Sequence, residues 1–292
     1  MKRLPVFVLC VAAALGLSAL VWPRAESAPT AAQPLVCLVG GTMTPVFNEL
    51  AWAYEKQAKQ KVEITSADSG ELLASIEMQL QGDLYVAHDP FMDIAMRRGL
   101  GVNAWCVAEL VPVMIVQKGN PRNIHSLRDL LRPDVRVYLP DYQHSTLGYL
   151  LPIIFRHAHV DFDELNRIKQ IPTHRSGSWV ANQIILDSAD VALVWQVVAQ
   201  LRQKDLDVIP IDGVLPIPGV DAITSATGNR YLVAPVKVAM VTLTCSQRPR
   251  DAEAFVKFVG SEQGQRILRA HGYRTASWCG RRFYANGVRV AE

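Results

Sequence analysis

Apolar positions in the first third of the chain follow two alternating rhythms. The run 35–39 is almost wholly apolar and stops at Gly40-Gly41-Thr42, the pattern of a buried strand ending in a tight turn. Val46, Phe47, Leu50, Ala51 and Tyr54 then recur at helical spacing, and Thr44 followed by Pro45 predicts the cap and first position of that helix. A short strand over 62–65 leads through Ser66-Ala67-Asp68-Ser69-Gly70 into a second helix with Leu72, Leu73, Ile76 and Leu80 on one face. Residues 83–89 predict a third strand, entering a turn before Pro90 and then a short helix through Met96.

This alternation predicts an α/β fold whose parallel sheet is covered on both faces, with ligands held where loops leave the carboxyl ends of the strands. Apolar runs at 110–116, 135–139, 191–195 and 208–211 continue the pattern. The β-branched stretch 231–244 follows, and 251–270 reads as two helical pieces interrupted at Gly260. Pro152 falls inside a helical segment and predicts a kink, because proline cannot donate the intrahelical bond. The 292 residues suit two lobes better than one core.

The N-terminus departs from this globular pattern. Met1-Lys2-Arg3 precedes an apolar run over 4–22, the charged and hydrophobic regions of an export signal. Small residues around Ala25-Glu26-Ser27 and Thr30-Ala31-Ala32 predict cleavage before Ala28 or Gln33, with an uncleaved anchor as the alternative; either places the protein in the periplasm. Cys10 lies in the apolar run without the small-residue context of a lipoprotein cysteine. Cys37, Cys106, Cys245 and Cys279 would share an oxidising compartment, where four cysteines allow three pairings that spacing does not choose between. Cys37 and Cys245 sit in strand-like runs and read as inert buried thiols, and none of the spacings resembles a zinc site.

A formal net charge of +3 is too mild to argue for nucleic acid. No Gly-x-Ser-x-Gly elbow accompanies Arg175-Ser176-Gly177-Ser178, so a hydrolase is the weaker alternative and no catalytic residue is assigned. His157 and His159 would point to different faces of a helix end and read as surface residues, and Arg281-Arg282 reads as a solvated face.

Four segments together resemble the molybdate-binding branch of the type II periplasmic binding proteins. They are Gly41-Thr42-Met43-Thr44-Pro45-Val46-Phe47, the helix opening at Ser69-Gly70 within 66–73, the strand 83–89, and the pair of segments 248–255 and 261–265. The resemblance spans nearly the whole chain after the export signal. It implies two α/β lobes joined by two crossovers, with 1–32 as signal and linker, 34–112 plus 236–292 as lobe 1, and 113–235 as lobe 2. It further implies a monomeric solute-binding protein of an ABC importer, closing over a small tetrahedral oxyanion, molybdate or tungstate, without a cofactor. A sensor of the same fold for another small anion is the alternative.

By that resemblance the ligand residues are the hydroxyls of Thr42 and Ser69 in lobe 1. The loop and helix start over 143–149 donate an amide at Thr146 or Leu147, and the turn after Arg175 donates one at Gly177 or Ser178. The residues themselves leave another reading open, since Thr42, Thr44 and Ser69 could simply cap helices. Trp195 stands where the family has a ligand-touching tyrosine, and an indole offers one N–H donor in place of a hydroxyl. Glu71 and His88 are further departures: a carboxylate in the first turn after Ser69 opposes a nearby anion.

Overall fold

The computed structural model describes residues 33–142, 145–224, 230–232, 235–276 and 279–290. Residues 1–32, where the export signal is expected, and with them Cys10, lie outside the described residues, as do Gln143 and His144. In chain order the elements are β1 Leu35–Gly40, α1 Thr44–Ala58, β2 Val62–Ala67, α2 Ser69–Gln79, β3 Leu84–His88, α3 Phe91–Arg97, β4 Gly101–Leu110 and β5 Pro112–Gln117. Then come β6 Val137–Pro140, α4 Thr146–His157, α5 Phe162–Lys169, β7 Thr173–His174, α6 Gly177–Ile185, β8 Val191–Trp195, α7 Gln196–Gln200 and β9 Leu206–Pro210. The chain continues with β10 Ala222–Thr224, β11 Arg230–Leu232, β12 Val236–Leu243, α8 Pro249–Val259, α9 Glu262–Ala270, β13 Arg282–Ala285 and β14 Val288–Arg289.

Two mixed sheets carry the fold. The larger runs β14-β13-β4-β12-β3-β1-β2, and the smaller β7-β6-β8-β5-β9. The expected parallel arrangement holds for β1 with β2 and β3, and for β6 with β7 and β8. The sheets are mixed because β12 enters the first antiparallel to β3 and β4, and β5 enters the second antiparallel to β8 and β9.

The near-continuous apolar character of β1 has a packing cause. Leu35, Cys37 and Val39 are fully buried on one face, while Val36 and Leu38 are half-buried on the other. Helix α1 lays Val46, Phe47, Leu50, Ala51 and Tyr54 on the sheet. It ends where Lys59 takes a left-handed conformation and its N–H closes onto the Glu55 carbonyl. Tyr54 meets Phe255 and Phe258 of α8 at 5.1 and 5.3 Å between ring centroids. Burying side chains of this size contributes about 2–3 kcal/mol each before entropy is counted.

Several boundaries differ from the sequence reading. Thr44 is the first helical residue of α1 and not its cap, because a 3-10 turn over Gly41–Met43 places Met43 there. The run 110–116 is two strands in two sheets with Val111 between them. The stretch 231–244 divides into the end of β11 and β12, with 233–234 outside the described residues. Pro152 lies inside helix α4, and α8 and α9 separate at Gly260, both as expected. His157 is no simple surface residue: it is half-buried, with Nδ1 3.1 Å from the Leu215 carbonyl and Nε2 3.2 Å from Asp221. Arg281 and Arg282 are exposed, the latter over the Trp105 ring.

Asp190, just before β8, joins three segments of the second sheet. Its buried carboxylate accepts from the Arg136 backbone N–H at 2.7 Å, from Arg136 Nε and Nη2 at 3.1 and 2.8 Å, and from Arg122 Nε at 3.2 Å. All four described cysteines are free thiols, Cys37 and Cys106 being buried and Cys245 and Cys279 half-buried. Burial raises the Cys37 and Cys106 thiols far above their usual range, which keeps them protonated and unreactive. Among the described residues no helix is long and apolar enough to cross a membrane.

Candidate functional site

Strand register shows which loops face one another. Leu110, the last residue of β4, pairs with Val236, and two residues along β12 Val238 pairs with His88, the last residue of β3. Across the one-residue crossover at Val111, Pro112 pairs with Trp195, the last residue of β8. The carboxyl ends of β1, β2 and β3 therefore lie on one side of the crossover and those of β6, β7 and β8 on the other. In α/β sheets such strand ends are where ligands bind.

On the first side Gly40 permits a close approach. A Cβ there would lie 2.4 Å from Ser69 Oγ and 2.7 Å from Met43 Cε, so only glycine lets the end of β1 lie against the first residue of α2. The turns bearing Thr42 and Ser69 are thereby neighbours. Each is also tied to the core through its carbonyl, Thr42 by the Tyr273 hydroxyl at 3.2 Å and Ser69 by the Tyr85 hydroxyl at 2.7 Å.

The capping alternative fails for both residues. Asp68 caps α2, its carboxylate accepting from the Gly70 N–H at 2.8 Å, and Met43 occupies the cap of α1 without a side-chain bond. Thr44 Oγ1 instead shares a 2.6 Å hydrogen bond with Ser66 Oγ. Buried polar side chains elsewhere are spoken for: Asp83, Asn103, Asp190, Asp221, Thr242 and Gln265 each hold partners. Ser69 and Glu109 are each only 5% exposed and their side chains make no hydrogen bond among the described residues; since no fully buried side-chain oxygen or nitrogen there lacks a partner, their polar atoms reach the surface.

His88 and Asp89 follow β3. Burial draws the imidazole below its usual range, against the Asp89 carbonyl 2.8 Å from Nδ1 and the charge of Asp68, so the ring is neutral at pH 7. Burial also pushes the Asp89 carboxyl up to about 6, opposed by the Lys237 N–H that it accepts at 2.8 Å. The folded protein then holds a proton between about pH 4 and 6 that the unfolded chain has released, so this group's contribution to stability falls as pH rises through that window. Asp89→Asn should gain about 2 kcal/mol on the parent between pH 4.5 and pH 7 in urea denaturation. A constant difference would show that Asp89 ionises normally.

On the second side Ser145 caps α4, accepting from the Gly148 N–H at 3.0 Å and donating to the Asp141 carbonyl at 2.7 Å. Thr146 and Leu147 are the first two residues of that helix, so their N–H groups belong to its first turn and point toward its N-terminus. Ser176 caps α6, placing Gly177 and Ser178 in the first turn, and His174 Nδ1 accepts from the Ser176 N–H while its ring stacks on Trp179 at 4.5 Å. Trp195 is buried and opens on a cavity of about 200 Å³ at the crossovers.

Sequence reasoning missed two of these residues. Asp68 could have been found, since aspartate before a helix is a strong cap. Glu109 is the lone acid in the apolar stretch 104–116, and that was its signal. Among the described residues no group of three or more His, Cys, Asp or Glu side chains is placed to hold a metal.

A family model for bacterial extracellular solute-binding proteins matches residues 35–274. The sulfate-binding protein of Salmonella typhimurium is 25% identical over 176 residues, 56% of this chain and 50% of that protein, so the chain spans about half the length of the curated relatives it matches. Among solved structures, the substrate-binding domain of a putative molybdenum ABC transporter from Clostridium difficile superimposes with TM-score 0.66 at 17% identity, covering 84% of this chain and 99% of that one. The periplasmic molybdate-binding protein of Azotobacter vinelandii gives TM-score 0.62 at 15% identity, covering 83% and 100%.

Proposed function

Because the chain belongs to the bacterial extracellular solute-binding protein family and has the type II periplasmic-binding-protein fold, we propose that it is the periplasmic receptor of an ABC importer. In this reading a monomer, built of lobes 34–112 plus 236–292 and 113–235, closes over a small tetrahedral oxyanion and delivers it to a membrane permease. Molybdate and tungstate are the first candidates, with sulfate beside them because of the Salmonella relative.

The observation that carries the reading is Ser69. The residue is 5% exposed at the first turn of α2, and its hydroxyl is relieved of capping by Asp68 and lies against Gly40, two residues before Thr42. A dianion that leaves water needs donors on every side, and two hydroxyls on one lobe facing helix amides on the other supply them. Helices α4 and α6 have neutral serine caps, so the first-turn amides of Thr146, Leu147, Gly177 and Ser178 act with an undiminished dipole. The Asp68 carboxylate and exposed Glu71 make α2 less favourable to negative charge, and the second lobe carries most of the attraction.

Calorimetric titration with molybdate, tungstate and sulfate tests the proposal. Thr42→Ala and Ser69→Ala should each weaken binding by about 1–3 kcal/mol with unchanged circular dichroism. The proposal fails if no anion binds, or if both variants bind like the parent.

A further inference from the structure

Glu109 lies one residue before the end of β4 and is 5% exposed. Its backbone is fully used, donating to the Arg274 carbonyl at 2.8 Å and accepting from the Arg274 N–H at 3.1 Å. Its carboxylate, among the described residues, receives no hydrogen bond and no ion pair. The guanidinium of Arg274 is engaged elsewhere, with Nη2 2.5 Å from Asp212 Oδ1. Burial raises the Glu109 carboxyl above its usual range, against the charges of Arg274 and Lys237. Because no fully buried side-chain oxygen among the described residues lacks a partner, this carboxylate is open to the cavity beside it, and an unpartnered acid so placed stands ready for a cation.

The carboxylate lines the 200 Å³ cavity at the crossovers, together with Trp195, Leu150, Leu215 and Arg274. This cavity adjoins the anion site on two counts. Trp195 belongs to both, and Leu150 stands four residues, about 6 Å of helical rise, beyond Thr146 in α4. A carboxylate beside an indole is the pairing that recognises an organic cation, and leucine and proline walls fit a short carbon chain.

We propose that this cavity is a second subsite of the cleft and takes a protonated amine, so that the ligand is a small zwitterion with a tetrahedral anionic head and a short ammonium-bearing arm. The inference rests on the anion-binding reading above and extends it: the helix starts and hydroxyls hold the head, and Glu109 with Trp195 holds the arm.

The test compares phosphoethanolamine with ethyl phosphate, which lacks only the ammonium, using molybdate as the bare oxyanion. Phosphoethanolamine should bind at least tenfold more tightly than ethyl phosphate. Glu109→Gln, which keeps size and shape, should reduce that preference to less than twofold while leaving ethyl phosphate affinity within twofold of the parent. Equal affinities in the parent overturn the proposal, as does a preference that survives Glu109→Gln. Molybdate binding without either phosphate overturns the subsite and leaves the anion site standing; no binding of any of the three overturns both.

Discussion

Gly148→Ala is expected to lower the unfolding free energy by about 3 kcal/mol and to weaken anion binding more than tenfold. A Cβ at Gly148 would lie 1.9 Å from the Asp141 carbonyl oxygen, 2.5 Å from its carbon and 2.7 Å from Tyr142 Cα. These are backbone atoms, so no rotamer change relieves the clash. The same carbonyl accepts from the Ser145 N–H and hydroxyl, and moving it disturbs the cap of α4 as well. Thr146 and Leu147 move with that turn. Gly264→Ala is the control, since its Cβ would come 2.4 Å from the Val259 carbonyl in α8, away from the strand ends that face across the crossover. It should cost comparable stability while the folded fraction binds with parental affinity. Equal loss of affinity in both variants would show that Gly148 acts through general instability and not through placement of the α4 amides.

Asp190→Ala should cost about 3 kcal/mol at pH 7, because it strands the Arg136 N–H and removes the shared acceptor of Arg136 and Arg122. Both guanidinium groups are nearly half exposed and rehydrate, which keeps the loss from being larger. Burial acts to raise the Asp190 carboxyl, yet the Arg136 and Arg122 hydrogen bonds override it and hold the group at about 2. A depressed carboxyl stabilises fully above its unfolded value near 3.9 and loses that contribution as pH falls towards 2. The gap between parent and variant should therefore stay constant from pH 7 to 5 and shrink by about 2 kcal/mol below pH 3. Urea denaturation across that range measures it. An unchanged gap at pH 3 would mean that the arginines do not favour the ionised acid.

Legibility in the sequence followed local patterning. The alternation from β1 to α3 could be read because each strand is short and apolar and each helix has a clean stripe, and α8 and α9 could be read for the same reason. Strand β4 could not. Asn103 and Glu109 interrupt its pattern, and the Asn103 side chain is explained only by distant partners, Glu253 and the Asn286 N–H. Strands β13 and β14 escaped notice because β13 takes its place by pairing with β4 and β14 by pairing with β13, and not from their own composition. At the candidate site, residue types were legible at Thr42 and Ser69, but the division of labour was not. Asp68 as the cap was open to reading from its residue type, but that Ser69 lies against the end of β1 depends on a close approach at Gly40 that no spacing reveals.

The central position of β12 imposes an order on how the chain becomes a protein. This strand lies between β3 and β4, yet it is the last of the three to be synthesised, separated from β4 by the whole second sheet. Until residues 236–243 arrive, β3 and β4 each present an open hydrogen-bonding edge, and the larger sheet has no middle. Closing it requires a contact that spans more than a hundred residues, which makes folding of that sheet a slow, late event relative to the smaller one. A chain ending before Val236 would hold all five strands of the second sheet beside β3 with one edge open and β4 with no partner in its own sheet, and association through those exposed edges would be its natural fate.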